Sequence, residues 1–432
     1  MSKYRRLFAS LCILTVLTAG CSGTMQSPRI AERGPEAAAP RQTTEGTARQ
    51  NEPSDPKVNA ARNPQRPVQP LDVPKEEPIR KNVSTRKNPQ AATPIEGQSV
   101  SLPELRSDIK GIYVSSHALT GAKWRSILQL IQNTELNAVV IDVKNDYGRI
   151  TYPSHVEIAK ALGADANAKV QDMGKKLKSL KQQGIYTIAR IVTFKDPLAA
   201  ARKPEWAIHT KRGTVWKNKK GSAWLDPYKE ETWQYNIALA KEAIALGFDE
   251  VQFDYVRFPE QVGDLNRNAA FANANGETKD QIIQRYLRTA SKEIHAAGGR
   301  VSADVFGLTT TSKDGMGIGQ KWELLAQEVD IVSPMIYPSH YAEGSYGVKH
   351  PDLQPHAIVS RAVKDARTRN EALQRNGEHA ALIRPWLQQF TATWIEPHRK
   401  YAKQEVREQI RALAEQGIHQ YLLWNPNCNY AL

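Results

Sequence analysis

Short apolar runs alternate with helix-like stretches from about residue 105 to the C-terminus. Each apolar run is nearly continuous, as in parallel strands that are buried on both faces. The predicted strands are KGIYVSS, AVVIDVK, IYTIARIVTF, EVQFDYVRF, RVSADVFG, DIVSPMIYP, ALIRPWLQQF and QYLLWN. The stretches between them have apolar residues at helical spacing and predict seven helices.

Four of the predicted helices end in a glycine directly before the next strand, as a C-cap requires: Gly184, Gly247, Gly298 and Gly417. Eight strands separated by seven helices predict an α/β chain that forms one (β/α)₈ TIM barrel over residues 105–432. The alternative is an open doubly wound sheet. It is disfavoured because no Gly-rich phosphate loop follows the first strand.

The first 20 residues have the pattern of an export signal. Lys3, Arg5 and Arg6 precede a short apolar run that is too short to span a membrane. The following LTAGC resembles the bacterial lipoprotein signal, in which the cysteine, here Cys21, becomes the lipid-modified first residue. We therefore expect an extracytoplasmic protein of the cell envelope, anchored to a membrane by a lipid on Cys21. An ordinary signal peptide is the alternative.

Residues 21–104 are rich in Pro, Gln, Asn and Ala and poor in aromatic residues. A segment of this composition buries too little apolar area to offset the entropy lost on ordering. We predict a disordered tether between the anchor and the barrel.

The chain carries a formal net charge of +14. For an exported protein this charge favours acidic glycans or a membrane surface over nucleic acid, although solubility alone explains it equally well.

After Cys21 the only cysteine is Cys428, which excludes an internal disulfide framework. The sequence has no P-loop, dinucleotide fingerprint or HExxH, so no cofactor is expected. No metal is expected either; the minor alternative is a divalent cation held by Asp142, Asp146 and Asp254.

In a TIM barrel the chemistry lies at the C-terminal ends of the strands. Those ends carry Asp142, Lys144, Arg190, Gln252, Asp254, Ser302, Asp304, Tyr337, Arg384, Trp386, Gln388, Trp424 and Asn425. The period of two puts Asp142 and Lys144 on one face of their strand, and turns Tyr255 toward the helices. We interpret the polar positions as a concave site with aromatic walls. For any single acid, an ion pair within the barrel is the alternative.

The loop after the third strand interleaves tryptophans, among them Trp216 and Trp224, with lysines and arginines. Indole rings stack on the apolar faces of sugars, and cations suit carboxylates or phosphates on a polymer. Both tryptophans are candidate substrate-binding residues for a polysaccharide, an acidic one included.

The stretches DIKGIYVSSHALTG, TELNAVVIDVKNDYGRITY, SAWLDP and GFDEVQFDYVRFP resemble the glycosyl hydrolase barrel domain of bacterial exported proteins, formerly a domain of unknown function. The resemblance spans residues 105–432 and implies a TIM barrel and carbohydrate hydrolysis. GFDEVQFDYV is also similar to the strand-four motif of family-18 chitinases. However, Gln252 replaces one acid and Val256 stands where the catalytic glutamate belongs, which disfavours substrate-assisted chemistry.

A glycosidase usually needs two carboxyl groups. Strand position predicts Asp254 as nucleophile or base and Asp304 as general acid, with Arg190, Arg257 and Tyr337 orienting them. Glu260 is the alternative acid. The remaining candidate substrate-binding residues are Asp142, Lys144, Trp386, Gln388, Trp424 and Asn425. The function predicted is hydrolysis of a surface or cell-wall polysaccharide; the alternatives are a non-catalytic glycan-binding lipoprotein and a scaffold for an envelope complex.

Overall fold

The computed structural model describes residues 102–432, so the predicted signal peptide, Cys21 and nearly all of the predicted tether lie outside the described residues. The strands are β1 Lys110–Val114, β2 Ala138–Lys144, β3 Tyr186–Val192, β4 His209–Thr210, β5 Glu250–Asp254, β6 Ala269–Ala270, β7 Arg300–Phe306, β8 Ile331–Ile336, β9 Leu382–Ile383, β10 Trp386–Gln388 and β11 Tyr421–Trp424. The helices are α1 Gly121–Gln132, α2 Glu157–Leu162, α3 Met173–Gln182, α4 Pro197–Arg202, α5 Glu230–Leu246, α6 Val262–Asn268, α7 Lys279–Ala296, α8 Trp322–Ala326, α9 Pro355–Arg375 and α10 Lys403–Ala414.

Eight parallel positions close into a barrel in the order β1, β2, β3, β5, β7, β8, β10, β11, with β11 pairing back to β1. The seventh position is split, because β9 pairs with β8 and β10 continues the same run after Pro385. A proline lacks the N–H that a ladder needs, which explains the interruption. The closed ring confirms the predicted (β/α)₈ barrel and excludes an open sheet.

All seven predicted helices are present, as α1, α3, α5, α7, α8, α9 and α10. Gly184, Gly247, Gly298 and Gly417 have φ between 71° and 113°, a left-handed conformation that lets the chain leave the helix. α7 begins with a capping box, in which Thr278 and Gln281 satisfy each other's backbone N–H groups. The short helices α2, α4 and α6 lie in loops and were not predicted.

The helices cover the outer face of the barrel with apolar side chains. Phe253 of β5 is fully buried and packs edge-on against Tyr286 of α7, with ring centroids 5.4 Å apart. A buried phenylalanine contributes about 2–3 kcal/mol through the water it excludes. Among residues 102–432, no helix combines the length and the hydropathy needed to cross a membrane.

The inside of the barrel holds two separate ionic groups along the strands. Near the N-terminal ends, which we call the floor, Glu250 accepts hydrogen bonds from Arg384, Ser302 and Tyr186. Glu250 and Arg384, the floor pair, are at most 1% exposed. The second group lies at the C-terminal ends, which we call the mouth.

Candidate active site

Arg190 of β3 organises the mouth by binding two aspartates at once. Its Nη1 donates to Asp142 Oδ1 at 2.7 Å, and its Nε and Nη2 donate to Asp254 Oδ2 at 2.9 and 2.5 Å. Tyr113 donates to the other oxygen of Asp142 at 2.6 Å. Burial raises the pKa of Asp142 even beside this guanidinium. One buried cation therefore serves two carboxylates, and we call Asp142, Arg190, Asp254 and Asp304 the mouth cluster.

β5 ends at Asp254, and the next residue has an unusual backbone. Tyr255 has φ of 49°, although it is neither Gly, Asn nor Asp, and its N–H donates to Asp254 Oδ1 at 2.6 Å. The phenol turns into the mouth, 3.4 Å from the ammonium of Lys195. The prediction that Tyr255 faces the helices was wrong, because the left-handed residue ends the alternation of the strand.

Asp304 of β7 supplies the second strand-end carboxyl that we predicted. It is 1% exposed and accepts a hydrogen bond from Trp386 Nε1 at 2.7 Å. Burial, together with the negative charge of Asp254, raises the pKa of Asp304 well above that of an ordinary aspartate. The mouth thus contains two carboxylates paired with Arg190 and one carboxyl that holds its proton more tightly than an ordinary aspartate.

Aromatic side chains form the wall around these acids. Trp424 is half-buried, and its ring centroid lies 4.2 Å from that of Tyr113 and 5.6 Å from that of Trp386. Tyr337 is buried, and burial plus the charges of Asp304 and Asp254 raise the pKa of its phenol. These predicted residues lie together around the mouth cluster.

The wall continues into a group that the sequence analysis missed. Phe390 and Trp394 stack with ring planes 16° apart, and His340 lies edge-on to both and to Tyr337. Burial lowers the pKa of His340 to about 4, so this ring is neutral at physiological pH. The two aromatic residues in QFTATW, directly after the seventh strand, were the signal available in the sequence.

Lys144 does not reach the mouth. The pairing of β2 with β3 shifts between Asp142 and Lys144, so that Val143 is an extra residue in a bulge. Lys144 consequently points away from Asp142, and its ammonium is fully buried at 2.7 Å from Asp196 and 4.8 Å from the Tyr235 ring of α5. The expectation that Asp142 and Lys144 share a face was wrong because a bulge breaks the period of two.

Gln388 and Asn425 lie at strand ends as predicted, but their amides are occupied by the protein itself. Gln388 Nε2 donates to Asp352 at 3.2 Å and to a backbone carbonyl at 3.0 Å, while its Oε1 accepts two bonds from Ser339. Asn425 Nδ2 donates to two backbone carbonyls at 2.7 and 2.8 Å. Both side chains brace loops at the rim of the mouth.

The two predicted tryptophans of the long loop after β3 are buried. Trp216 donates from Nε1 to Asp264 at 2.8 Å, which fixes the loop on α6. Trp224 is 1% exposed and its ring lies edge-on to Tyr255, with centroids 5.7 Å apart. Trp216 therefore holds the loop in place, whereas Trp224 contacts Tyr255 of the mouth.

Arg257 is buried beneath the mouth between aromatic rings, 4.3 Å from the Phe306 ring and 5.0 Å from the Tyr255 ring. Its Nη1 donates to Glu260 at 2.9 Å. Burial favours the neutral form of Glu260, but the guanidinium outweighs it and lowers the pKa of Glu260. A lowered pKa suits an acid donor poorly, so Asp304 fits that role better than Glu260.

Asp146 is a fourth carboxyl group of the mouth, and its side chain is about one third exposed. Lys195 lies 3.1 Å from one of its oxygens and Arg190 lies 3.6 Å from the other. Burial raises the pKa of Asp146, but the charges of these two cations outweigh burial and lower it.

Within residues 102–432 no three His, Cys, Asp or Glu side chains are grouped to hold a metal ion. The space between Asp142 and Asp254 is taken by a guanidinium.

Comparisons with known proteins agree with this architecture. Residues 111–430 match the family model described as "Putative glycosyl hydrolase domain". A search of curated proteins gave no match. A solved hypothetical protein from Ruminiclostridium thermocellum is 34% identical over 48% of this chain and 98% of its own, with a TM-score of 0.41. The PgaB glycoside hydrolase domain from Bordetella bronchiseptica is 13% identical over 74% of this chain and 94% of its own, with a TM-score of 0.51.

Proposed function

Because the chain belongs to the family described as "Putative glycosyl hydrolase domain", we propose that it hydrolyses glycosidic bonds of a surface or cell-wall polysaccharide with two carboxyl groups. Asp254 is the nucleophile or base and Asp304 is the general acid. The observation that carries the proposal is the unequal environment of these two groups. Asp254 is paired with Arg190, while burial and the charge of Asp254 raise the pKa of Asp304. Such a split is how one site runs acid and base chemistry together.

In this mechanism Asp304 gives its proton to the glycosidic oxygen while the bond from that oxygen to the anomeric carbon breaks. Asp254 either attacks the anomeric carbon, forming an ester that water then hydrolyses, or removes a proton from a water that attacks it directly. In the first route, Asp304 takes a proton from the incoming water. Arg190 and the Tyr255 N–H hold the Asp254 carboxylate in one orientation through either route.

The aromatic wall supplies the sugar-binding surface. Trp424 is partly exposed beside the mouth cluster and presents a ring to the apolar face of a sugar. Trp386 and Tyr337 complete the wall behind it, and Trp386 donates a hydrogen bond to Asp304.

We also propose that the protein is an envelope lipoprotein carried by a lipid on Cys21. The export-like first 20 residues and LTAGC support this. The described chain starts near the floor, because Arg300 at the beginning of β7 donates to the carbonyl of Pro103 at 2.9 Å.

The test is release of reducing ends from a panel of bacterial envelope glycans by the full chain and by Asp254→Asn. We expect release by the native chain from at least one glycan and a loss of about 10³-fold or more in the variant. Asp108→Asn, at an exposed aspartate paired with Arg106, is the matched control and keeps the native rate.

An Asp254→Asn variant that releases sugar at the native rate would overturn the assignment. A native chain that binds one of the glycans and releases nothing from any would instead support the non-catalytic glycan-binding alternative. Thermal melting of both variants shows whether a lost rate reflects chemistry or unfolding.

A further inference from the structure

The loop after β3 forms a rigid double hairpin on the mouth side of the barrel. Residues 207–225 make antiparallel bridges between Ala207 and Leu225, between His209 and Val215, and between Lys217 and Ala223. The first turn closes with the Gly213 N–H on the Thr210 carbonyl at 2.9 Å, and the second with Gly221 on Asn218 at 2.9 Å. We call residues 207–225 the rim hairpins.

The rim hairpins are fixed at their base as well as at their turns. Trp216 is buried and holds Asp264 of α6 at 2.8 Å. β4 pairs with β6, and Lys211 N–H donates to the Asn268 carbonyl at 2.8 Å. The Asn218 side chain accepts from two backbone N–H groups in the second turn, at 2.9 and 3.0 Å. Side chains on these turns are therefore presented from an ordered backbone.

The exposed side chains on this backbone are mostly cations. We call the following residues the basic rim: Lys211, Arg212, Lys217, Lys219, Lys220 and Arg267, all of them exposed. Two lie on the first turn and three on or beside the second, and Arg267 joins them because α6 ends against the first turn. Asp264 is the acid at their base. Cations that are grouped on one ordered loop attract an extended anion more strongly than scattered cations do.

The rim hairpins are continuous with the mouth. Ile208 N–H donates to the Trp224 carbonyl at 2.9 Å, and the Trp224 ring contacts Tyr255, which follows Asp254 directly. Charge changes along this path. In the mouth Asp142, Asp146 and Asp254 face only Arg190 and Lys195, and Asp304 adds another carboxyl, so that carboxyls outnumber cations there, while cations dominate the rim.

We propose that the basic rim is a binding subsite for the negatively charged groups of a glycan, carboxylate or phosphate, whose cleaved bond lies in the mouth. The inference rests on the proposed function and names its substrate class. The anionic groups belong to sugars that flank the cleaved bond. A charged group next to Asp254 would meet carboxylates, whereas the same group on the rim meets exposed lysine and arginine.

The test measures binding of three polymers to the full chain carrying Asp254→Asn: polygalacturonate, poly(glycerol phosphate) and neutral dextran. The rim variant combines Lys211→Ser, Arg212→Ser, Lys217→Ser and Lys220→Ser, all at exposed positions. Its matched control combines Lys175→Ser, Lys178→Ser, Lys400→Ser and Lys403→Ser, which are equally exposed but lie off the rim hairpins.

We expect one or both polyanions to bind, and the rim variant to bind them about tenfold more weakly at low salt. The control variant retains the Kd, and the difference shrinks as salt rises because exposed charges are screened. Equal loss in both variants, or tight binding to dextran that ignores the rim, would overturn the inference. So would binding to phosphatidylglycerol vesicles with none to either polyanion, since the rim would then be a membrane contact.

The two proposals fail separately. Rim-dependent binding without release of sugar from any glycan leaves the subsite standing and removes the hydrolase. Hydrolysis of a neutral glycan at the same rate by the native chain and by the rim variant leaves the hydrolase standing and removes the subsite.

Discussion

The floor and the mouth of the barrel are both buried ionic groups, yet they are built differently. At the floor, Glu250 and Arg384 form a pair with one acid and one base, and Ser302 and Tyr186 complete the hydrogen bonds of the carboxylate. At the mouth, Arg190 binds Asp142 and Asp254, Asp146 lies between Arg190 and Lys195, and Asp304 is a fourth carboxyl with no basic partner of its own.

The difference lies in the ratio of acids to bases. A one-to-one buried ion pair has no net charge and no carboxyl without a basic partner, so its role is structural. At the mouth, burial and the nearby charge of Asp254 raise the pKa of Asp304, so this carboxyl holds its proton more tightly than an ordinary aspartate. The same barrel thus contains an ion pair that serves stability and a cluster whose imbalance serves proton transfer.

The largest effect is expected from Asp304→Asn, which removes the surplus proton. Loss of a general acid lowers kcat by about 10²- to 10⁴-fold. Hydrolysis by the native chain falls as pH rises through the raised pKa of Asp304, and this alkaline limb disappears in the variant. The measurement is a pH–rate profile on whichever glycan the native chain cleaves.

The leaving group provides the control for that variant. A dinitrophenyl glycoside of the same sugar needs little protonation, so Asp304→Asn regains most of the native kcat/KM, which reports cleavage of the glycosidic bond, on this substrate. An equal loss on both substrates would contradict the acid role.

The raised pKa of Asp304 also makes the stability of the fold depend on pH. The raised pKa stabilises the native fold below the ordinary aspartate pKa, near 3.8, and this contribution is lost as pH rises through the raised value. Unfolding of Asp304→Asn lacks that loss.

The next effect, on stability rather than catalysis, is expected at the floor. Glu250→Gln leaves Arg384 buried without a counter-charge and lowers the free energy of unfolding by about 3–5 kcal/mol. Asp142→Asn at the mouth is the matched variant, and we expect a loss of about 1–3 kcal/mol, because Arg190 keeps Asp254. Chemical denaturation of both variants measures the difference.

A double variant separates charge from packing at the floor. Glu250→Leu with Arg384→Met removes both ions together and recovers most of the stability that Glu250→Gln loses, as apolar replacements of buried pairs do. If Asp142→Asn were as destabilising as Glu250→Gln, the remaining pair of Arg190 with Asp254 would not compensate for the loss of Asp142, and our explanation of the difference would be wrong.

The barrel was predictable because its strands leave a strong local signal. Parallel strands covered by helices on the outside are apolar runs, and the glycines that end four helices mark where the next strand begins. Asp254 and Asp304 were predictable as mouth residues because β5 and β7 keep the period of two up to those positions. The family resemblance rests on the same stretches.

The rest of the site depended on features that leave no local pattern. A bulge at Val143 turned Lys144 away from Asp142, and the positive φ of Tyr255 turned a predicted helix-facing ring into the mouth. The floor pair joins residues 134 positions apart in the chain. Gln388 resembled a substrate ligand, but only the structure shows that Asp352 and Ser339 occupy its amide. Each of these depends on contacts between distant elements rather than on spacing within one.

The smallest effect concerns the backbone of β5, which is regular at the floor and left-handed just past Asp254. Tyr255→Gly and Tyr255→Ala lose the same ring contacts with Trp224 and Lys195, but alanine at φ of 49° is strained and glycine is not. We expect the glycine variant to be more stable by about 0.5–1 kcal/mol. We also expect it to hydrolyse faster, because glycine keeps the backbone conformation in which the N–H of residue 255 donates to Asp254. The same two substitutions at Ser179, exposed within α3, reverse the order, since alanine favours a regular helix. Equal stability of the two variants at position 255 would show that the mouth holds no backbone strain, and that Asp254 is oriented by Arg190 alone.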